Sequence, residues 1–130
     1  MIADTSFLID LARGDPGARA ALAEIEATSE ALRVPAPAIA KLWEALGRSR
    51  RPPRDEAALR ALLAGVPAAP FAIEHAFVAG RLLADAAAAG LALDPFDAMV
   101  AAIAIADEEQ LVTRNVREFE AVRELTVRTY

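Results

Sequence analysis

The chain opens on a short apolar run that ends on an acid, Met1–Asp4, and then changes period. Phe7, Leu8 and Leu11 recur at helical spacing until Gly14 stops them. This predicts a strand followed at once by a helix. Pro16 to about Thr28 predicts a second helix, with Asp15 as its cap and Pro16 in its first turn. Ala31–Val34 is a short strand candidate. Ile39, Leu42, Trp43 and Leu46 form an i, i+3, i+4, i+7 stripe, which predicts an amphipathic helix over Ala38–Arg48. A basic, proline-broken loop, Arg48–Arg54, comes next, then a helix over Asp55–Ala64. Pro67–Ile73 reads as a loop leading into a short strand, and Glu74–Ala89 as a helix ended by Gly90. Asp94–Asp107 is helical and nearly all apolar after its first turn, the pattern of a buried helix. Leu111–Thr113, Val116–Val122 and Leu125–Thr129 complete the chain as strand, short helix and strand. Short strands alternating with helices predict an α/β fold, with a mainly parallel central sheet and helices on both faces.

Composition narrows the picture. The chain has 130 residues, a length that fits a single domain spanning 1–130. Alanine supplies 33 of them, which favours helices that approach closely. The absence of cysteine excludes disulfides, zinc ribbons and thiol chemistry. One histidine, His75, excludes multi-His metal sites, and its place at a helix start reads as surface or boundary. The net charge of −5 argues against retention on nucleic acid by the overall field, but not against a local basic patch. No segment approaches the ~20 apolar residues of a membrane span. The first residues lack the basic start of a secretory signal, so a cytoplasmic protein is expected.

In parallel α/β folds, sites lie beyond the carboxyl ends of the strands. Four residues there carry candidate chemistry, and each also has a structural use. Asp4 either caps the first helix or presents a metal-ligating carboxylate. Glu44 either pairs with Arg48 one turn on or projects along the rim of the apolar stripe. Asp97 sits third in the helix that Asp94 and Pro95 begin, where an acid favours the helix dipole. It either serves that first turn or is aimed back at the strand ends. Asn115 either caps the turn containing Glu118 or offers an amide to a metal or phosphate. There is no Gly-rich phosphate loop and no Gly-x-Ser-x-Gly elbow. Thirteen of the fourteen basic residues are arginine, suited to bidentate phosphate contacts. Arg48, Arg50, Arg51 and Arg54 form the only dense basic run, either a solvated loop or a phosphate contact. Arg114 adjoins the candidate site. Aromatic residues are too few for a base-stacking platform.

Taken in order, these segments resemble the PIN-domain family. The resemblance rests on Ile2-Ala-Asp-Thr-Ser-Phe-Leu-Ile9, Ala40-Lys-Leu-Trp-Glu-Ala-Leu-Gly47, Asp97-Ala-Met-Val-Ala-Ala-Ile-Ala104 and Leu111-Val-Thr-Arg-Asn-Val-Arg-Glu-Phe119. It covers essentially the whole chain, and the set is similar to the VapC-type toxins of prokaryotic toxin–antitoxin pairs. It implies a PIN-like three-layer α/β sandwich and a metal-dependent endoribonuclease. On that resemblance, Asp4, Glu44 and Asp97 would hold one or two Mg²⁺ or Mn²⁺ ions. Asn115 would stand at the family's variable fourth acidic position, and Thr5, Ser6 and Thr113 would support the acids or a bound water. Ala40 stands where the family usually has a Ser or Thr before its Glu. The resemblance also implies a cognate antitoxin, an RNA substrate and a homodimer. Metal-activated water would cleave the phosphodiester without histidine. The alternatives are a PIN nuclease used in RNA processing without an antitoxin, a degenerate PIN fold that only binds, and a receiver-like Mg²⁺-binding signalling module. A receiver, however, wants an acid pair after its first strand, and Asp4 is followed by Thr-Ser.

Overall fold

A computed structural model describes residues 1–130. The elements run β1 (Ile2–Ala3), α1 (Thr5–Arg13), α2 (Pro16–Glu26), β2 (Val34–Pro35), α3 (Ala36–Leu46), α4 (Pro52–Ala64) and β3 (Ala68–Ala69). They continue with α5 (Ile73–Ala88), α6 (Pro95–Ala106), β4 (Leu111–Val112), a 3-10 turn (Val116–Phe119) and β5 (Val127–Arg128). β1, β4 and β5 form one parallel ladder, and β2 and β3 another. A parallel bridge between Ile2 and Arg33 joins them into the order β3-β2-β1-β4-β5. Both residues of β1, β2 and β4 are buried. Successive strand residues point to opposite faces, so both faces of the sheet are covered. The expected parallel α/β sandwich is therefore observed.

Helix ends follow the caps. Asp15 accepts from the Ala18 N–H at 2.9 Å, Asp94 from the Phe96 N–H at 2.9 Å, and Gly14 ends α1 in the left-handed region at φ 77°. α6 is the most buried helix, as its apolar pattern predicts, and α5 packs along it.

Several boundaries differ from the sequence expectation. α3 begins at Ala36, two residues early, because Pro37 falls in the first turn, where no N–H donor is needed. The same reason moves the start of α4 to Pro52. The basic loop is thus shorter than expected, and Arg54 lies on a helix. The second strand is Val34–Pro35 rather than Ala31–Val34, with Arg33 in the bridge. β3 opens the Pro67–Ile73 segment instead of closing it. The turn after Asn115 is a single 3-10 turn ending at Phe119, not a helix to Val122.

His75 is buried, not a surface or boundary residue. Its Nδ1 accepts the Ala72 N–H at 2.9 Å, so Nε2 carries the proton toward Asp107 Oδ1 at 3.1 Å. Asp107 belongs to a charged cluster at the amino end of the sheet. Arg33 bonds Asp107 at 2.5 Å and also Glu109, and Glu109 takes the Met1 ammonium at 2.5 Å. Burial works to raise the Asp107 pKa, but the hydrogen bonds from Arg33 and His75 outweigh it and hold the carboxyl below its usual value.

Candidate active site

At the carboxyl end of the sheet, β1 delivers Asp4 and β4 delivers Thr113, side by side in the parallel register. Asp4 is 1% exposed and Thr113 fully buried. Asp4 caps α1 through the Ser6 N–H at 3.3 Å, which is the structural use its sequence allows. The same oxygen, Oδ2, also accepts the Ser6 hydroxyl at 2.6 Å and the Thr113 hydroxyl at 2.7 Å. Both hydroxyl protons are thereby committed to Asp4. The 3.1 Å approach of Ser6 Oγ to Thr113 Oγ1 is then a close oxygen contact rather than a further bond. The two hydroxyls in turn accept backbone N–H groups, Ser6 from Arg114 at 3.3 Å and Thr113 from Asn115 at 3.0 Å. Two distant stretches of chain, at Ser6 and at Thr113, are thus pinned to one carboxylate oxygen. The other, Oδ1, is enclosed and has no hydrogen-bond partner, as is the Thr5 hydroxyl. An unpartnered buried acceptor costs about 1–3 kcal/mol.

Asp97 is the second buried carboxylate, 2% exposed in the first turn of α6. Its partner is Lys41 of α3, whose Nζ donates to Asp97 Oδ1 at 2.7 Å and lies 3.7 Å from Asp94 Oδ1. Burial pushes the Asp97 pKa up, Lys41 pulls it back, and the negative charges of Glu118 and Asp94 push it up again. Burial works against the charge on Lys41, yet its bond to Asp97 and the nearby acids outweigh that and raise its pKa.

The remaining candidates are placed differently. Glu44 is exposed, and its carboxylate bonds Arg48 at 2.9 Å, the i,i+4 pair its spacing allows. It does not join the buried acids, and no three His, Cys, Asp or Glu side chains come close enough together to hold an ion. Asn115 occupies the N-cap position of the 3-10 turn but makes no side-chain capping bond. Arg114 is half exposed and held by buried Asp10 at 2.8 Å. Asp10 also accepts the Tyr130 hydroxyl at 2.8 Å, and burial and that bond push the Tyr130 pKa up. Arg48 and Arg50 line a cavity of about 430 Å³ between α1, α3 and α4, to which neither Asp4 nor Asp97 contributes. Arg50, Arg51 and Arg54 are exposed and make no ion pair.

Sequence reasoning misses two residues. Glu118, which the sequence marks only as part of a turn, is the charge from this segment that acts on Asp97 and Lys41. Lys41 does carry a signal: it is the only lysine in a chain that otherwise uses arginine.

The PIN-domain family model matches residues 1–125. No curated protein matches the chain. Among solved structures it is similar to the VapBC2 complex of Rickettsia felis bound to a promoter DNA fragment. The identity is 21%, covering 99% of this chain and 97% of that one, with a TM-score of 0.88. It is similar to the DNA-bound VapBC of Salmonella typhimurium at 22% identity, covering 98% and 96%, with a TM-score of 0.86. FitAcB of Neisseria gonorrhoeae matches at 20% identity, covering 97% and 94%, with a TM-score of 0.72. At these identities the likeness is one of fold.

The resemblance implies a divalent ion, and the donors can be tested against it. Hard oxygen ligands in number are what Mg²⁺ and Mn²⁺ require. Here Asp4 is saturated on one oxygen and enclosed on the other, Glu44 faces solvent on Arg48, and an ammonium stands on Asp97. The residues as arranged do not fit a three-carboxylate metal site.

Proposed function

The chain belongs to the PIN-domain family, and from that premise we propose that it is the toxin of a toxin–antitoxin pair, a nuclease that cuts RNA and is restrained by a cognate antitoxin. PIN-domain proteins are nucleases that generally use divalent metals. The structural neighbours named above include VapBC complexes, which supports the partner assignment, and the homodimer is carried over from the sequence resemblance. The observation that carries the reading is the Asp4 carboxylate, locked by Ser6 and Thr113 at the carboxyl end of the central strand. Such a carboxylate is held in one orientation before any substrate arrives, which is what a reaction centre needs. Asp97 is the second buried acid assigned to the site. Arg114, fixed by Asp10, and the free Arg50, Arg51 and Arg54 would meet phosphates of a single strand. No helix is long and apolar enough to cross a membrane.

A second reading is favoured by one specific feature. The ammonium on Asp97 and the outward Glu44 suit a PIN fold that binds RNA and its antitoxin without cutting. Incubating the purified chain with RNA in Mg²⁺ and Mn²⁺ buffers separates the two. The expected result is cleavage that falls by more than about a hundredfold in Asp4→Asn. RNA binding without cleavage supports the second reading, and neither binding nor cleavage rejects both.

A further inference from the structure

Lys41 is the one lysine among fourteen basic residues, and it is set against two carboxylates at the start of α6. Its Nζ lies 2.7 Å from Asp97 and 3.7 Å from Asp94, and Glu118 adds a third negative charge close enough to act on it. The choice of lysine is chemically pointed. An arginine would present a flat fork, whereas an ammonium is a compact point charge with donors on several sides. In that respect it is the side chain most like a small cation. The contact is also selective for the buried acid. Asp97 Oδ1 takes the short bond while Asp94 keeps its own oxygen on the N–H groups of α6.

We propose that Lys41 is the built-in cation of the free site, its ammonium standing on Asp97 where a divalent ion would otherwise bind and competing with that ion. The inference deepens the nuclease reading and rests on its assignment of Asp4 and Asp97 to the site. It accounts for the misfit between the donor set and a metal. Like charges gathered around one point need a positive charge to coexist. Lys41 supplies it from within the chain, and an ion approaching from solvent meets an ammonium instead of an open oxygen. Removing the ammonium leaves Asp97 without its counter-cation, beside Asp94 and under the charge of Glu118, and so strengthens its attraction for a cation from solvent. A carboxylate at position 41 adds a further ligand from the same helix turn.

The test measures metal, not RNA. Mn²⁺ binding to the 130-residue chain is followed by water-proton relaxation, and melting temperature is read in EDTA and in Mn²⁺. The wild type should bind Mn²⁺ weakly and melt at the same temperature in both buffers. Lys41→Gln should bind at least about tenfold more tightly, since a unit charge beside the ion is removed. Lys41→Glu should bind more tightly still, and Mn²⁺ should raise its melting temperature. Lys41→Gln removes the charge but adds no new one, so it gives the answer if Lys41→Glu does not fold in EDTA. Wild type and Lys41→Gln binding Mn²⁺ equally would overturn the proposal, because the ammonium would then compete with nothing. Failure of both variants to bind would overturn it too. A gain of Mn²⁺ affinity in Lys41→Gln, with no RNA cleavage by the wild type in Mn²⁺, supports it while refuting the nuclease reading, so the two stand or fall separately.

Discussion

At the amino end of the sheet, Arg33, Asp107, Glu109, His75 and the Met1 ammonium pair in a closed chain. At the carboxyl end, Asp4 keeps an oxygen with no partner and Asp97 leans on a single lysine. Both clusters are partly buried and both join distant segments. They differ in whether the charges balance locally. The amino-end cluster alternates cation and anion, so each group is satisfied by neighbours already fixed by the fold. The carboxyl end sets the acids at the start of α6, with the charge of Glu118 from the 3-10 turn, against one ammonium, and leaves an oxygen of Asp4 unpartnered. A closed network serves stability. An acid-rich cluster with an unused acceptor carries a cost that packing alone does not explain, and such costs collect at functional sites.

The contrast breaks most visibly when one charge is removed from each end. Arg33→Ala leaves Asp107 and Glu109 side by side without their shared cation. It should cost about 2–3 kcal/mol of unfolding free energy, since bonds to charged groups are lost and like charges remain. Asp4→Asn should cost less than about 1 kcal/mol, because an amide oxygen still accepts from Ser6 and Thr113 and a buried charge is relieved. Urea unfolding of both variants measures the contrast. Equal losses would mean that the carboxyl end is as structural as the amino end.

Acid sharpens the same contrast with a smaller effect. The Asp107 pKa is held below its unfolded value, so its contribution is fully present above about pH 4 and is lost as pH falls through the lower folded value. Stability measured between about pH 5 and pH 2 should therefore decline more steeply in the wild type than in Asp107→Asn. The variant should start roughly 1 kcal/mol less stable at neutral pH. A variant whose decline matches the wild type would assign the acid sensitivity elsewhere.

How much of this is legible in the chain depends on what kind of signal each residue gives. Caps are local, so Asp4, Asp15 and Asp94 are marked by the few residues on their carboxyl side. The burial of α6 is equally plain, since its apolar residues leave no polar face. The starts of α3 and α4 are not, because proline ends a helix in one position and begins one in another, and composition does not say which. The roles of His75 and Lys41 are illegible for a different reason. Each is explained by a partner more than thirty positions away, Asp107 and Asp97, which only the packing of α5 and α3 against α6 brings into reach. Family pattern directs attention to Glu44 within the segment Ala40–Gly47, while the side chain of that segment that reaches Asp97 is Lys41, one turn earlier.

That one-turn difference gives the finest test of the two ends. Glu44→Ala removes an exposed i,i+4 pair with Arg48 and should cost no more than about 0.5 kcal/mol, within the range of such surface pairs. Combined with Lys41→Gln, it should leave the gained Mn²⁺ affinity unchanged, whereas Glu118→Gln in the same background should reduce it. The distinction follows from position: Glu118 already acts on Asp97, and Glu44 is turned to Arg48. Loss of Mn²⁺ binding in the Lys41→Gln, Glu44→Ala double variant would show that Glu44 swings inward once the ammonium has gone. The carboxyl end would then hold four acids rather than three, and Lys41 would be what keeps the fourth one outside.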